Sequence, residues 1–310
     1  MDLAVLLSNL IGLFLLIGVG FFAVRLGVLP AEASKPLSAL LMKVTVPATV
    51  LCSLLRPFDP AFLGQGLHML LAGAVLFPVF AALSLGLSRL LRVPEGRRGM
   101  WCCCATFCNN GFMGFPVALA LLGEEGLTLT VFLAIPFNLL IYTLGAKMVC
   151  MDRPQDGSAP PMSWRRAVFS PIILAMAAGL ALYLTQIQLP QAILSPLNYL
   201  SDATTPLSMM VTGMSLSQGT LSDVVRDRDA FTASAARLLL FPLTAWALLR
   251  LGRAEALVLS AALLNMAMPA PAMTTLLGEE YGGCTQLAAR AVFLSSLLCI
   301  ATIPLVVLLL

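Results

Sequence analysis

The sequence predicts an all-α membrane protein, with ten transmembrane helices arranged as two inverted five-helix repeats. Three observations carry that expectation. Of the 310 residues, 59% are hydrophobic and 11% charged, with a mean hydropathy of +0.95. Soluble domains run near 45–50% apolar and about 25% charged, so a bilayer is the solvent this composition fits. The charges also cluster between long uncharged runs, each near the roughly 20 residues a helix needs to cross about 30 Å of hydrocarbon. Finally, the second half of the chain repeats motifs of the first. These features exclude a soluble enzyme, a nucleic-acid binder and a secreted disulfide scaffold.

Taken in order, the expected spans are about 3–24, 37–55, 62–88, 99–122, 127–146, 167–185, 199–218, 230–249, 254–277 and 288–310. The first carries Asp2 in place of a basic n-region, and its apolar run is too long for a signal peptide, so it is expected to stay as a helix. Alternate connections separate by charge. One set holds 13 Lys and Arg residues, among them Arg89, Arg92, Arg97, Arg98, Arg153, Arg165, Arg166, Arg226 and Arg228. The other holds only Arg56, Arg250 and Arg253. The positive-inside rule makes the first set cytoplasmic and puts both termini on the non-cytoplasmic side. The expected location is the cytoplasmic (inner) membrane. Residues 150–166, rich in Pro, Gly, Ser and charge, read as a cytoplasmic linker between a first repeat (1–149) and a second (167–310).

Five spans per half invert the second half in the membrane. Span four reads Asn110-Gly-Phe-Met-Gly-Phe-Pro116, then six residues, then Gly123-Glu-Glu; span nine reads Asn265-Met-Ala-Met-Pro-Ala-Pro271, then six residues, then Gly278-Glu-Glu. Leu37, Lys43 and Pro47 match Leu197, Asp202 and Pro206, and Val131-Phe-Leu matches Val292-Phe-Leu. Inverted repeats with paired interrupted helices point to a secondary transporter, whose site lies where the helices break. The breaks are expected at Gly111, Gly114 and Pro116 in the first crossing helix and at Pro269 and Pro271 in the second. Proline removes a helical hydrogen bond, and in lipid the freed groups need protein, water or ligand as partner.

At these residues the chain resembles the auxin efflux carrier family, which includes the PIN-formed carriers and bacterial malate or malonate permeases. Asn109 to Pro116 is similar to the family's fourth-helix crossover motif, Ala203 to Ser208 and Asn265 to Pro271 to its seventh and ninth helices, and Arg290 to Ser295 to the opening of its last helix. The resemblance implies ten helices, a scaffold part and a moving part, and two proline-broken helices crossing beside the substrate. The long hydrophilic loop of many plant members is absent. Bile-acid/sodium symporters share the architecture, so a sodium-coupled organic-anion symporter is the alternative, with a ligand-binding receptor behind it.

The expected function is transport of a small organic anion, a mono- or dicarboxylate of the auxin or malate kind, by alternating access. Asn110 and Asn265 are the leading substrate contacts, since amides and half-helix N-termini both suit a carboxylate. They serve equally well to satisfy broken backbone. Asn109, Asn138, Thr49 and Tyr142 are further candidates, with interhelical bonding as the plainer role. Lys43 and Asp202 are candidates for a charge or coupling role. Lys43 and Arg237 can snorkel, and Asp202 can cap a helix end. No metal site or cofactor is expected; sodium or proton coupling is open. The eight cysteines lack a Cys-x-x-Cys pair, and His68 is the lone histidine, so neither metal nor histidine-based hydrolase chemistry has its parts. The expected partners are the substrate anion and the lipid bilayer, with a homodimer as a further expectation and no nucleic acid.

Overall fold

The computed structural model describes residues 3–152, 168–218, 224 and 226–308, and every regular element among them is helical. The elements are α1 (Leu3–Arg25), α2 (Ser34–Leu40), α3 (Val46–Ser53), α4 (Pro60–Leu90), α5 (Arg98–Thr106), α6 (Phe115–Leu140), α7 (Ala146–Cys150), α8 (Pro171–Thr185), α9 (Gln191–Ser217), α10 (Arg228–Ala235), α11 (Phe241–Leu251), α12 (Ala256–Met266), α13 (Met273–Tyr281) and α14 (Thr285–Val307). Wide π turns at Leu41–Thr45, Asn110–Gly114, Ile141–Gly145 and Ala236–Leu240 join several of them. Three of these turns are followed, after one residue, by a proline: Pro47, Pro116 and Pro242. A proline ring clashes with the carbonyl four residues back. An extra residue in the turn relieves that clash without ending the helix.

Among the described residues, six stretches are long and apolar enough to cross a membrane: Ser8–Arg25, Ala31–Ser53, Pro60–Leu90, Arg98–Cys150, Arg228–Leu251 and Thr285–Val307. Helix also occupies Pro171–Thr185, Gln191–Ser217 and Ala256–Met266. The fourth and fifth expected spans are not separated by a loop. A straight helix through the 53 residues of Arg98–Cys150 would measure roughly 80 Å at 1.5 Å per residue, so the run must bend. It does so beyond Thr106 and again at Gly123, whose φ of 69° and ψ of −164° suit glycine alone. The linker expected at 150–166 lies outside the described residues beyond Asp152.

The helices sort into two packed groups, each drawing on both halves of the chain. In the first, α1 lies along α9, and α3 packs on α8 and α9. Gly20 and Gly213 permit the α1–α9 approach, since a Cβ on either would strike the facing backbone of Met210 or Ile17. The second group comprises α4–α7 and α10–α14, packed around Phe77, Phe80, Phe107, Phe137 and Phe241. At one rim of this group Asp227 caps α10 and binds Arg97 at 2.6 Å and Arg290 at 2.8 Å. Burial raises the Asp227 pKa, but the Arg290 and Arg97 bonds outweigh it and hold the carboxyl below the usual carboxylate range. The pair therefore stabilises the fold at neutral pH and loses that contribution as pH falls through the lowered pKa.

Candidate functional site

The crossover of the two interrupted helices is the candidate site. Helix α5 ends at Thr106, and Phe107 is extended at φ −94°, ψ 146°. The chain resumes helical winding only at Asn110. Helix α12 ends at Met266, and residues 267–272 are non-helical before α13 begins. The two breaks meet directly: the Asn109 N–H donates to the Pro269 carbonyl at 2.7 Å. Two helix C-terminal ends and two N-terminal ends thus flank the crossing.

The asparagines tie this crossing together. Asn110 and Asn265 are 2% and 0% exposed, and the Asn110 amide donates to Asn265 Oδ1 at 3.2 Å. Asn265 Nδ2 in turn donates to Thr130 Oγ1 at 2.9 Å and to the Ala261 carbonyl at 3.0 Å. Asn109 Oδ1 accepts from the Phe112 N–H at 3.2 Å and so caps the resumed helix. Gly114 lets the helices approach, because a Cβ there would stand 2.5 Å from Asn265 Oδ1. In the second break, the Ala270 N–H donates to Ser295 Oγ at 3.0 Å, and the Pro271 carbonyl accepts from the Thr274 N–H and hydroxyl.

The expected positions of the breaks need one correction. Pro269 and Pro271 do lie within the second break. Gly111, Gly114 and Pro116 follow the first one: the glycines belong to the π turn and Pro116 to the first turn of α6. The first interruption is at residues 107–109, upstream of the motif that signalled it. The cause is that the π turn before Pro116 accommodates the proline ring, so the winding that resumes at Asn110 runs on through Pro116 unbroken.

The remaining candidates divide. Tyr142 reaches the crossover, its hydroxyl 3.8 Å from Met273 Sδ at the start of α13. Asn138 turns back on its own helix, donating to the Ala134 carbonyl at 2.7 Å. Thr49 shares a 2.8 Å hydrogen bond with Thr204 and joins α3 to α9 in the other helix group. Lys43 is exposed on the π turn before α3. Asp202 is exposed and is not a helix cap, because α9 begins at Gln191, eleven residues earlier.

Three residues of the site went unmarked in the sequence. Thr130 is one hydroxyl among many in apolar spans, and Ser295 closes the Arg290–Ser295 stretch without any sign in the sequence that it pairs with the second break. Arg237 is different. A basic residue inside a span is a signal, and the snorkelling expected of it is overturned: Arg237 is 0% exposed. Its guanidinium donates to the carbonyls of Ala105 at 3.2 Å and Thr106 at 2.7 Å, and to that of Met266. These carbonyls lie at the C-terminal ends of both interrupted helices, where four C=O groups lack helical partners. The crossover consumes the arginine before it can reach water.

An apolar helical body with two interrupted helices crossing at a buried polar centre is the construction of a membrane transporter. Comparison with known proteins agrees. A profile described as membrane transport protein matches residues 5–307, and the chain belongs to this family, that of the auxin efflux carriers. An uncharacterized transporter of Methanocaldococcus jannaschii is 28% identical over 91% of each chain. Another uncharacterized transporter, from Methanothermobacter thermautotrophicus, is 28% identical over 96% of each. A Rhizobium meliloti protein named "Putative malonate transporter" is 24% identical over 94% of this chain and 91% of its own.

Proposed function

We propose that this membrane transporter carries a small organic anion of the malonate class through the crossover by alternating access, with all ten helical stretches crossing the bilayer as inverted repeats. One observation carries the reading: the helices that leave the crossover present free amides where there is room. Among the described residues the N–H groups of Gly111, Ala272 and Met273 have no hydrogen-bond partner. Gly111 is half-buried with open space beside it, and Ala272 is exposed. Unpaired amides at helix starts, under a partial positive charge, favour a carboxylate. Asn110 and Asn265 hold the geometry that aims them, and Tyr142 borders the second set. The malonate wording attached to the Rhizobium relative supports a dicarboxylate as the first substrate to test.

Alternating access follows from the two helix groups, one holding the crossover and the other packed against it. Polar contacts between them gather on α6 around Gly123: Asn9 to the Ala120 carbonyl at 2.7 Å, Thr128 to the Ser53 carbonyl at 2.9 Å and Arg56 to Glu125 at 3.2 Å. That seam is one that opening to the non-cytoplasmic side would break. The test is uptake by purified protein in liposomes against a panel of mono- and dicarboxylates, with sodium, pH and voltage varied separately. Saturable malonate flux supports the reading. Saturable binding with no flux of any carboxylate under any gradient would make the chain a receptor. For topology, thiols introduced by Glu95→Cys and Gln191→Cys in a cysteine-free protein should label from opposite faces; labelling of both from one face would overturn the inverted arrangement.

A further inference from the structure

We propose that Arg237 sets the charge preference of the crossover by neutralising its two carbonyl-bearing helix ends, which leaves the amide-bearing ends to dominate the field at the ligand. The inference deepens the anion reading above and rests on it for the position of the ligand.

Each helix end carries about half an elementary charge, negative where carbonyls are free and positive where amides are. The crossover gathers the ends of α5 and α12 and the starts at Asn110 and Met273. Two negative and two positive half-charges nearly cancel, so the bare backbone gives such a place no sign. Arg237 breaks the tie. It places a full positive charge on the negative pair, bonded to Ala105, Thr106 and Met266. No described carboxylate lies within ion-pair distance of it, so the charge is not spent on a side chain.

The surroundings hold the guanidinium in place. It extends from the π turn Ala236–Leu240 beside the stacked rings of Phe80 and Phe241, which are 4.7 Å apart, and lies 5.7 and 5.6 Å from their centroids. Both ring faces favour a cation. Its Nε has no partner. A charged residue at this depth is costly and persists where it performs a function. Arg237 touches the helix ends and not the ligand space at Gly111 or Ala272 by any described bond, so it is a positioning residue acting through the backbone.

The test reads local potential without needing the substrate. In a cysteine-free protein, a single thiol is introduced by Gly111→Cys or Ala272→Cys. Its reaction rates with an anionic and a cationic methanethiosulfonate are compared with those of free glutathione. With Arg237 intact, the anionic reagent should be favoured at least 10-fold at both positions. Arg237→Lys should keep that preference, and Arg237→Gln, which can still donate to carbonyls, should lower it at least about 10-fold, towards no preference, because the interaction with one charge enters the ratio once for each reagent. Lack of anionic preference with Arg237 intact overturns the proposal even if the glutamine variant fails to fold. Equal preference in well-folded Arg, Lys and Gln proteins also overturns it and reduces Arg237 to a cap. Malonate binding is then measured on the same proteins. If malonate does not bind while the thiol preference follows Arg237, the substrate reading fails and the inference stands.

Discussion

At the first break the chain leaves the helix after Thr106 with no proline in the interruption and rewinds through a π turn in which Asn110 leads. At the second it stays helical through Asn265 and Met266 and then runs over Pro269 and Pro271 before rewinding at Met273. The two segments share the same Asn-to-Pro spacing in sequence. One asparagine nevertheless follows its break and the other precedes its own. Their different stations are what let them meet: Asn265 reaches forward from a helix end to receive the amide that Asn110 offers from a helix start. A repeat read in sequence preserves which residues cross, and not how each half is built.

That asymmetry predicts unequal costs, the largest at Asn265. Asn265→Ala removes three hydrogen bonds, to Asn110, Thr130 and Ala261, and leaves the Asn110 amide unpaired at a buried position, where an unsatisfied group costs about 1–3 kcal/mol, while the Thr130 hydroxyl keeps its bond to the Gly126 carbonyl. Asn110→Ala leaves only Asn265 Oδ1 without its donor, one such group. Thermal unfolding in detergent should therefore show a loss of about 4 kcal/mol for Asn265→Ala, one unsatisfied group at about 2 kcal/mol with two further lost bonds at about 1 kcal/mol each, and about 2 kcal/mol for Asn110→Ala, one unsatisfied group. Equal losses would mean that the two asparagines are interchangeable and that the asymmetry has no energetic content.

Next comes Gly114→Ala, whose methyl would stand 2.5 Å from Asn265 Oδ1. Forcing atoms into a well-packed site costs typically 1–3 kcal/mol. Gly114→Ala should lose about 2 kcal/mol and weaken transport with it. If Asn265→Ala makes room for the methyl, the double variant should be less destabilised than the sum of the singles, which a double-mutant cycle would measure. Strict additivity would place the clash elsewhere.

How much of this was legible follows from what each signal physically measures. Hydropathy and charge reveal which stretches avoid water, so helix falls on each of the ten expected stretches, and the short connection near Gly123 was the feature misjudged. The chain turns there on one glycine of unusual φ/ψ, and composition cannot show how a glycine is used. The motif spacing singled out Asn110, Asn265 and Gly114, which the structure brings into contact with one another. It placed the first break too far along because the π turn before Pro116 takes up the proline ring, and a proline so accommodated does not interrupt the winding. Arg237 was visible as a charge inside a span, but its partners are backbone carbonyls from segments about 130 and 30 residues away in sequence. Carbonyls are the same at every position and leave no trace in the sequence. Thr49 and Asp202 illustrate the converse, since polar residues inside spans belong here to the α3–α9 contact or the exposed surface.

The prolines sharpen the comparison at smaller scale. Pro269 is buried within its break, outside any helical turn that would accept an N–H, so Pro269→Ala is expected to cost about 1–2 kcal/mol through a buried amide and a looser chain. Pro116 sits in the first turn of α6, where an N–H from Pro116→Ala can join the preceding π turn, so its cost should stay within about 0.5 kcal/mol. Unfolding of the two variants side by side measures the difference. A larger loss for Pro116→Ala would return the first break to the proline.

The smallest effect on stability is expected at Gly111, and it isolates ligand contact from structure. A Cβ at Gly111 meets nothing within 4 Å, and its φ is not positive, so Gly111→Ala should change stability by less than about 0.5 kcal/mol. The same methyl enters the space beside an amide proposed to face the anion. If that amide contacts substrate, Gly111→Ala should raise the KM for malonate about 10-fold or more, about 1.4 kcal/mol of binding, while unfolding stays that of the parent. Gly114→Ala should show the reverse pattern, with stability falling first and transport following. A Gly111→Ala protein with unchanged stability and unchanged KM would remove the first helix start from the ligand site and leave Ala272 and Met273, on the other side of the crossing, as the only amides to hold it.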